Sequence, residues 1–335
     1  MKYLVVDTMN TYFRAKHVAA RQSDTWEKLG FALHLTLNSV NKVVRRHNID
    51  HVIFCTEGKS WRKNVYEPYK KNRVAKRMAM TEKEKEEDQM FFEGFGELVT
   101  FLTEKTNCTV LNSPNTEGDD MIGHWIHMHP DDEHIILSSD TDFYQLLSNN
   151  VKQYNGITDS LITTTGIFND DGSPVIDKKT KEPKAPPEPM WELFEKCIRG
   201  DTSDNIFSAY PGVRKKGSSK KVGLLEAFAD KDKKGYNWNN LMLQRWVDHN
   251  GNEHRVLDDY ERNCKLVDLN LQPDWVKNEM DEAFAAAVIA KDIPQVGVHF
   301  LKFCGKFELV KLSEQATDMS KWLNASYPNK QESIA

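Results

Sequence analysis

The chain has 335 residues, 39% hydrophobic and 28% charged, with a formal net charge of −5, an ordinary composition for a globular protein with one large core or a core and a smaller lobe. No apolar run approaches the roughly 18 residues that span a bilayer, and Asp7 closes the first apolar stretch too early for a signal peptide, so a cytoplasmic protein without a membrane partner is expected. Five scattered cysteines without a CxxC pair argue for reduced thiols and against structural zinc.

Tyr3 to Val6 is a short apolar run closed by Asp7, the pattern of a buried strand. Leu33, Leu37, Val40 and Val44 then fall at helical spacing, and Val52 to Cys55 reads as a second strand. Over 82–104 a charged start gives way to Phe91, Phe95, Leu98 and Leu102, the stripe of a long amphipathic helix. Thr109 to Leu111 and Ile135 to Leu137 read as a third and fourth strand. Strands alternating with helices predict an α/β fold with a mostly parallel sheet flanked by helices. The Pro-, Asp- and Lys-rich stretch 169–189 predicts an exposed hairpin or loop. Met190 to Arg199 is helical, and after a loop with Pro211, Gly212 and Gly217, Ser218 or Ser219 is placed to cap a helix bearing Val222, Leu225 and Phe228. The last hundred residues read as helical and irregular, with little chemistry.

Five acidic groups punctuate this pattern. Asp7 follows the first strand and Glu57 the second; Glu117, Asp119 and Asp120 (EGDD) open a helix; Asp140 and Asp142 (SSDTD) follow the fourth strand; Asp201 and Asp204 (GDTSDN) follow the helix of the 190s. Ligands of open α/β sheets bind beyond the carboxyl ends of the strands, and four of these groups fall at or near such ends. Converging carboxylates repel, and share a cleft only where cations neutralise them. All-oxygen donors suit Mg²⁺ or Mn²⁺ rather than zinc. Two such ions, roughly 4 Å apart, can activate a water and stabilise the leaving oxygen of a phosphodiester. Singly, each group has a plainer reading as a turn residue or helix cap; their conjunction argues for one metal site.

The cations are as unevenly spread. Residues 59–77 interleave Lys59, Arg62, Lys63, Lys70, Lys71, Arg73, Lys76 and Arg77 with Trp61, Tyr66 and Tyr69. That mixture suits a single strand, whose phosphates meet cations while its bases stack on rings, although any one lysine taken alone is better explained by a solvated helix face. Gly212, Arg214, Lys215, Lys216, Lys220 and Lys221 join backbone N–H groups at a helix start to several cations, a phosphate site that positions a duplex without reading its sequence. His124, His127 and His129 lack Cys partners and read as packing or surface residues rather than zinc ligands, and Trp238 and Trp246 as packing.

In this order the segments resemble the 5′-nuclease superfamily of flap endonucleases and 5′→3′ exonucleases, most closely the bacteriophage ribonuclease H type. The resemblance covers roughly residues 1–270 and rests on Asp7 to Arg14 (D-T-x-N-x-x-F-R), Lys59 to Arg73 (K-S-W-R…Y-K-K-N-R), EGDD, SSDTDF, GDTSDN, Pro211 to Val213 and CKLVDLNL at 264–271. It implies a PIN-like core over 1–185 with a helical arch at about 59–90, and a lobe over 186–335 whose helix-three-turn-helix grips duplex DNA. It further implies two Mg²⁺ ions, replaceable by Mn²⁺, on Asp7, Glu117, Asp119, Asp120, Asp140 and Asp142, with Asp201 and Asp204 completing the second site; a K⁺ on backbone carbonyls of the helix-turn-helix is also allowed. Where the family has Asp after the second strand this chain has Thr56-Glu57: Glu57 is expected to stand in as the metal ligand, its longer side chain offsetting the geometry, the alternative being that Thr56 takes the position and a ligand is lost. The loop after Val213, RKKGSSKK, also departs from the family's compact glycine pattern.

Lys70 matches the family lysine in Y-K-x-N-R, which the resemblance places over the scissile phosphate, where it offsets charge in the transition state. With Asp7 and Asp140 it makes up the expected catalytic group, and Arg14, Lys59, Arg62, Tyr69 and Arg73 are the expected strand contacts. The implied activity is structure-dependent hydrolysis of 5′ flaps, DNA 5′ ends and RNA primers in RNA–DNA hybrids during DNA replication. A monomer is expected, with a single-strand-binding protein or a replication clamp as candidate recruiters. One rival, a PIN-type single-strand ribonuclease, leaves GDTSDN and its basic helix-turn-helix unexplained. The other, a noncatalytic DNA-binding protein of the same fold, gains only if Thr56-Glu57 has cost a ligand.

Overall fold

A computed structural model describes residues 1–19, 24–218 and 221–328. In chain order the elements are β1 (Lys2–Asp7), α1 (Thr8–Ala19), α2 (Thr25–His47), β2 (His51–Cys55), α3 (Arg62–Val65), α4 (Lys71–Met78), α5 (Glu82–Lys105), β3 (Thr109–Leu111), α6 (Gly118–Met128) and β4 (Glu133–Leu137). A 3-10 helix, Thr141–Leu146, follows, and then β5 (Val151–Asn155), β6 (Ser160–Ile162), β7 (Ile167–Asn169), α7 (Pro189–Arg199), α8 (Leu224–Ala229) and α9 (Tyr236–Met242). The chain ends with β8 (Arg245–Val247), β9 (Glu253–Arg255), α10 (Val256–Val267), α11 (Asp274–Ala287), α12 (Val296–Lys306), α13 (Val310–Ser313) and α14 (Ala316–Leu323). No helix among the described residues is long and apolar enough to cross a membrane.

Two compact units form. The first takes Met1–Ser60, Met80–Pro186 and the chain from Pro273 onward; the second takes Trp61–Ala79 and Pro187–Gln272. The expected domain limits are corrected twice here. The C-terminal helices join the sheet-bearing unit because their apolar faces fit it: Phe303 of α12 stacks on Phe101 of α5 at 4.4 Å, and Trp322 of α14 donates its indole N–H to Asn41 of α2 at 3.2 Å. The expected arch also divides, with α3 and α4 in the second unit and α5 in the first.

The first unit is built on a seven-stranded sheet in the order β3-β2-β1-β4-β5-β6-β7. Pairing is parallel from β3 to β5 and antiparallel in the β5–β6–β7 meander. Both faces are covered, which is why β1 and β2 are continuous apolar runs. Leu4 and Val6 enter a core shared with α1, α2, α5, α12 and α14. Tyr3, on the opposite face by the period of two, meets Trp125 of α6 edge-on at 5.4 Å. Helix starts follow the local sequence: Asp24 caps α2, and Thr81 with Glu84 forms a capping box on α5. The 169–189 stretch folds back on itself, with Pro174 bridging to Phe168 and Pro183 to Ile176.

The second unit packs α7, α8, α9 and α10 around Trp191, Phe194, Ile198, Leu224, Trp238 and Val256. Between α7 and α8 the chain makes successive turns, and α8 begins at Leu224. The expected cap at Ser218 or Ser219 is therefore corrected: Ser218 donates its N–H to Lys221 O, and Ser219 lies outside the described residues.

Two buried histidines make the first unit acid-sensitive. His51 accepts a hydrogen bond from the Thr109 hydroxyl at Nε2, 2.8 Å away, and donates from Nδ1 to Ala325 O at 3.0 Å, a carbonyl that can only accept. Burial holds the His51 and His134 rings down to about 4, from an ordinary 6.5. A depressed histidine contributes stability fully above 6.5, and loses it as pH falls towards 4 because the unfolded chain takes up protons first. The loss is roughly 3 kcal/mol for each ring by pH 4. Thermal unfolding should show a plateau near neutrality and a steep fall in Tm below pH 6.5; a Tm unchanged down to pH 5 would contradict the neutral, buried assignment.

Candidate functional site

The parallel register brings the acidic groups together at one end of the sheet. Asp7 stands level with Cys55, and Cys55 with Leu111, while Val6 is level with Leu137. Glu57 and Asp140 therefore follow the strands on either side of Asp7, each neighbouring strand about 4.8 Å away. The strand order reverses its direction of growth between β1 and β4, the place where open sheets leave a crevice.

Asp7 is buried, 4% exposed. Its carboxylate accepts from the Ser138 hydroxyl at 2.8 Å and from the Asn10 N–H at 3.1 Å. Burial nevertheless pushes it up to about 7, with the charges of Glu57 and Asp140 adding to the rise over the pull of those two donors. Glu57 lies against the start of α6: its Cγ is 3.8 Å from where a Cβ on Gly118 would stand. Thr56 is turned away into the strand ends, donating to Leu111 O at 3.0 Å and accepting from the Asn112 amide at 2.7 Å.

The α6 turn is equally constrained. Glu117 precedes the helix, and its Oε2 accepts from the Ser60 hydroxyl at 2.8 Å. Asp120 is fully buried and accepts the Glu117 N–H at 3.1 Å, while the charge of Asp119 raises the buried Cys55 thiol further after desolvation and Asp7. Asp140 caps the 3-10 helix by accepting the Asp142 N–H at 3.0 Å. Among the described residues no three His, Cys, Asp or Glu side chains form a preformed metal cage. The donors nonetheless fit a hard divalent cation: all are oxygens, and the buried Asp7 faces two further carboxylates whose repulsion a cation would relieve.

Sequence reasoning missed part of the scaffold. Asn10 accepts from Ser139 N–H at 3.1 Å and its hydroxyl at 3.0 Å, tying the start of α1 to the end of β4. Gln153 donates to Ser138 O at 2.9 Å and Asp140 O at 2.7 Å. Asn10 and Ser138 lie inside the motifs read above; Gln153 sits on β5, a strand without apolar alternation to announce it.

Asp201 and Asp204 belong to the second unit, where each faces cations of its own chain. Burial alone would raise Asp201, but Lys196 at 2.7 Å and Ser203 hold it down to about 2. Asp204 receives Arg73 at 2.7 Å, the Tyr69 hydroxyl at 3.0 Å and Lys70 Nζ at 3.6 Å. Lys70 is held in the left-handed region at φ 55°, its N–H on Asp204 O at 2.8 Å.

The expected strand contacts differ in how far they are exposed. Arg62 is 2% exposed, donating Nε to Leu266 O at 2.7 Å and lying over Trp61, so it is a core strut. Tyr69 is buried among Cys197, Ile206 and Leu266 and offers no face for a base to stack on. Arg14 turns onto Ser39 at 3.3 Å and crowds Gly156, and burial lowers its pKa. Lys59 and Arg73 keep exposed side chains. Gly212, Arg214 and Lys221 line a cleft of about 520 Å³ together with Asn240 and Gln244. Lys216 is exposed, Lys215 lies 5.1 Å over the Trp191 ring, and Lys220 falls outside the described residues. Among the backbone N–H groups expected to meet phosphate, that of Gly217 is already accepted by Glu226 at 3.0 Å, as is that of Gly223 just before α8.

Comparison with known proteins agrees with this geometry. The family described as 5′-3′ exonuclease, N-terminal resolvase-like domain, matches residues 2–172. The chain is 30% identical over 183 residues to the DNA polymerase I of Rhizobium leguminosarum, a match covering 54% of this chain and only 15% of that protein. It is 26% identical over 231 residues to the flap endonuclease Xni of Shewanella piezotolerans, covering 68% of this chain and 77% of that one. In fold it is similar to the bacteriophage T5 flap endonuclease solved with DNA and metal ions, with a TM-score of 0.54 at 17% identity over 96% of this chain and 100% of that one. The T5 5′-exonuclease solved with zinc gives a TM-score of 0.54 at 18% identity over the same shares. The sheet with its acidic C-terminal edge and the match over residues 2–172 lead to one conclusion: this chain belongs to the 5′-3′ exonuclease family with a resolvase-like N-terminal domain.

Proposed function

We propose that this chain is a divalent-metal-dependent 5′ nuclease that hydrolyses phosphodiester bonds of DNA bearing a 5′ flap or 5′ end, and of RNA primers in RNA–DNA hybrids. The observation that carries the reading is the buried Asp7 flanked by Glu57 and Asp140 at the carboxyl edge of a parallel sheet. The names of the relatives, flap endonuclease and DNA polymerase I, support the substrate class.

In this reading Asp7, Glu57, Glu117, Asp119, Asp120, Asp140 and Asp142 hold Mg²⁺. Bound there, a pair of divalent cations would supply water activation and stabilisation of the leaving oxygen. The protein's part is preorganisation. Ser138 and Asn10 fix the Asp7 carboxylate, Ser60 fixes Glu117, and Gln153 fixes the turn that carries Asp140, so little reorganisation is needed when substrate arrives. In the second unit, Arg214 and Lys221 with the Asn240 and Gln244 amides offer cations and hydrogen-bonding groups to a duplex backbone. Asp201 and Asp204 enter a metal set only if an ion displaces the lysine and arginine they now hold.

The test compares a 5′-flap duplex, a blunt duplex, an RNA–DNA hybrid and single-stranded RNA, each 5′- and 3′-labelled, in Mg²⁺. Cuts at the flap junction or short products from the 5′ end, with single-stranded RNA intact, are expected. Cutting of single-stranded RNA alone would establish a ribonuclease instead, and binding without cutting a noncatalytic protein.

A further inference from the structure

The chain from Pro273 onward brings α11 beside the acidic turn. Its buried stripe is Val276, Met280 and Phe284, and the Phe284 ring lies 5.3 Å from His124 and 5.6 Å from Trp125 of α6. Two carboxylates flank that stripe. Asp281 pairs with His124 Nε2 at 2.7 Å, one helical turn beyond Asp120. Glu279 accepts from the Ser113 hydroxyl, from the Asn115 N–H at 3.0 Å and from the Asn115 amide at 2.9 Å.

The segment that Glu279 grips also holds the chain after β2. Gly58 donates to Thr116 O at 2.8 Å and Lys59 to Pro114 O at 2.7 Å. A Cβ at position 58 would stand 2.1 Å from Ser113 O, so only glycine permits this approach. Glu57 immediately precedes Gly58, and Glu117 immediately follows Thr116. One short piece of backbone therefore sets two carboxylates of the site, and a third carboxylate from the far end of the sequence fixes that piece.

We infer that Glu279 is a positioning residue for the metal-holding turn, acting through Ser113 and Asn115 on Glu57 and Glu117. The inference rests on the nuclease reading above. Groups that orient ligands without ligating typically tune metal affinity about 10–100-fold. Glu279 bonds to the loop, not to the ligand side chains, so its loss loosens the site more than it alters chemistry once metal saturates.

The experiment uses the whole chain as wild type, Glu279→Ala and Glu279→Gln. It measures Mn²⁺ binding by calorimetry without nucleic acid, flap cutting across a Mg²⁺ series, and Tm. Glu279→Ala should bind Mn²⁺ at least about tenfold more weakly and need correspondingly more Mg²⁺ for half-maximal cutting, with the rate at saturating Mg²⁺ within about threefold of wild type. Glu279→Gln keeps a carbonyl oxygen for the Asn115 N–H and should fall between. If Glu279→Ala does not fold, Glu279→Gln carries the test, and a rise of about threefold in half-saturating Mg²⁺ supports the inference. Unchanged metal binding and Mg²⁺ dependence in a folded variant, whatever happens to Tm, overturns the positioning role and leaves the nuclease reading standing. A wild type that neither binds Mn²⁺ nor cuts overturns both.

Discussion

Asp140→Asn should lower single-turnover cutting of a 5′-flap duplex by about 10³-fold or more while leaving affinity for the duplex within about twofold. The substitution is chosen for what it keeps. Asn retains an oxygen to accept the Asp142 N–H, now 3.0 Å away, and Gln153 still binds the main-chain carbonyl of residue 140, so the turn after β4 should hold its shape. What is lost is one negative charge beside Asp7, and with it the oxygen donor proposed here for a hard cation. A variant that cuts at near the wild-type rate would remove Asp140 from the metal set.

Lys70→Ala is the second large effect: cutting slower by about 10²-fold, with duplex affinity reduced no more than about threefold. In its own unit Lys70 faces Asp204 at 3.6 Å and lies 5.0 Å over the Tyr69 ring. Arg73 continues to neutralise Asp204 when the lysine is removed, and alanine meets the same left-handed backbone demand as any residue with a Cβ, so local folding should survive. Equal losses in rate and affinity would instead make Lys70 an ordinary phosphate contact. The charge role itself is carried by the family resemblance of the Y-K-x-N-R segment.

What the sequence could announce follows from what physics writes locally. The first four strands of the sheet are legible because strands covered on both faces must be continuous apolar runs, as at Tyr3 to Val6 and Val52 to Cys55. Three further strands were not: Val151–Asn155, Ser160–Ile162 and Ile167–Asn169 are short and mixed in polarity, and their pairing is set by the meander rather than by propensity. The acidic groups could be placed at strand ends, but the hydroxyls and amides that fix them, Ser60, Asn10 and Gln153, have ordinary surroundings in sequence. Charged residues misled in the other direction. Arg62 looks like a phosphate contact until its guanidinium is found buried on a carbonyl, and Glu226 claims the Gly217 N–H, one of those a phosphate was expected to take. The helices after Pro273 are amphipathic, a pattern that states that a face is buried but not against which partner. That is why Glu279 could not be connected to the EGDD turn from sequence.

Single-turnover cleavage of an end-labelled 5′-flap duplex by the wild-type chain in Mg²⁺, in EDTA, and in EDTA followed by excess Mg²⁺ decides whether the carboxylate edge of the sheet is a metal-dependent cutting centre. Cuts at or beside the flap junction are expected in Mg²⁺, none in EDTA, and full recovery on readdition. Cutting that persists in EDTA, or an enzyme that binds the duplex tightly yet leaves it whole in every metal, would contradict that role.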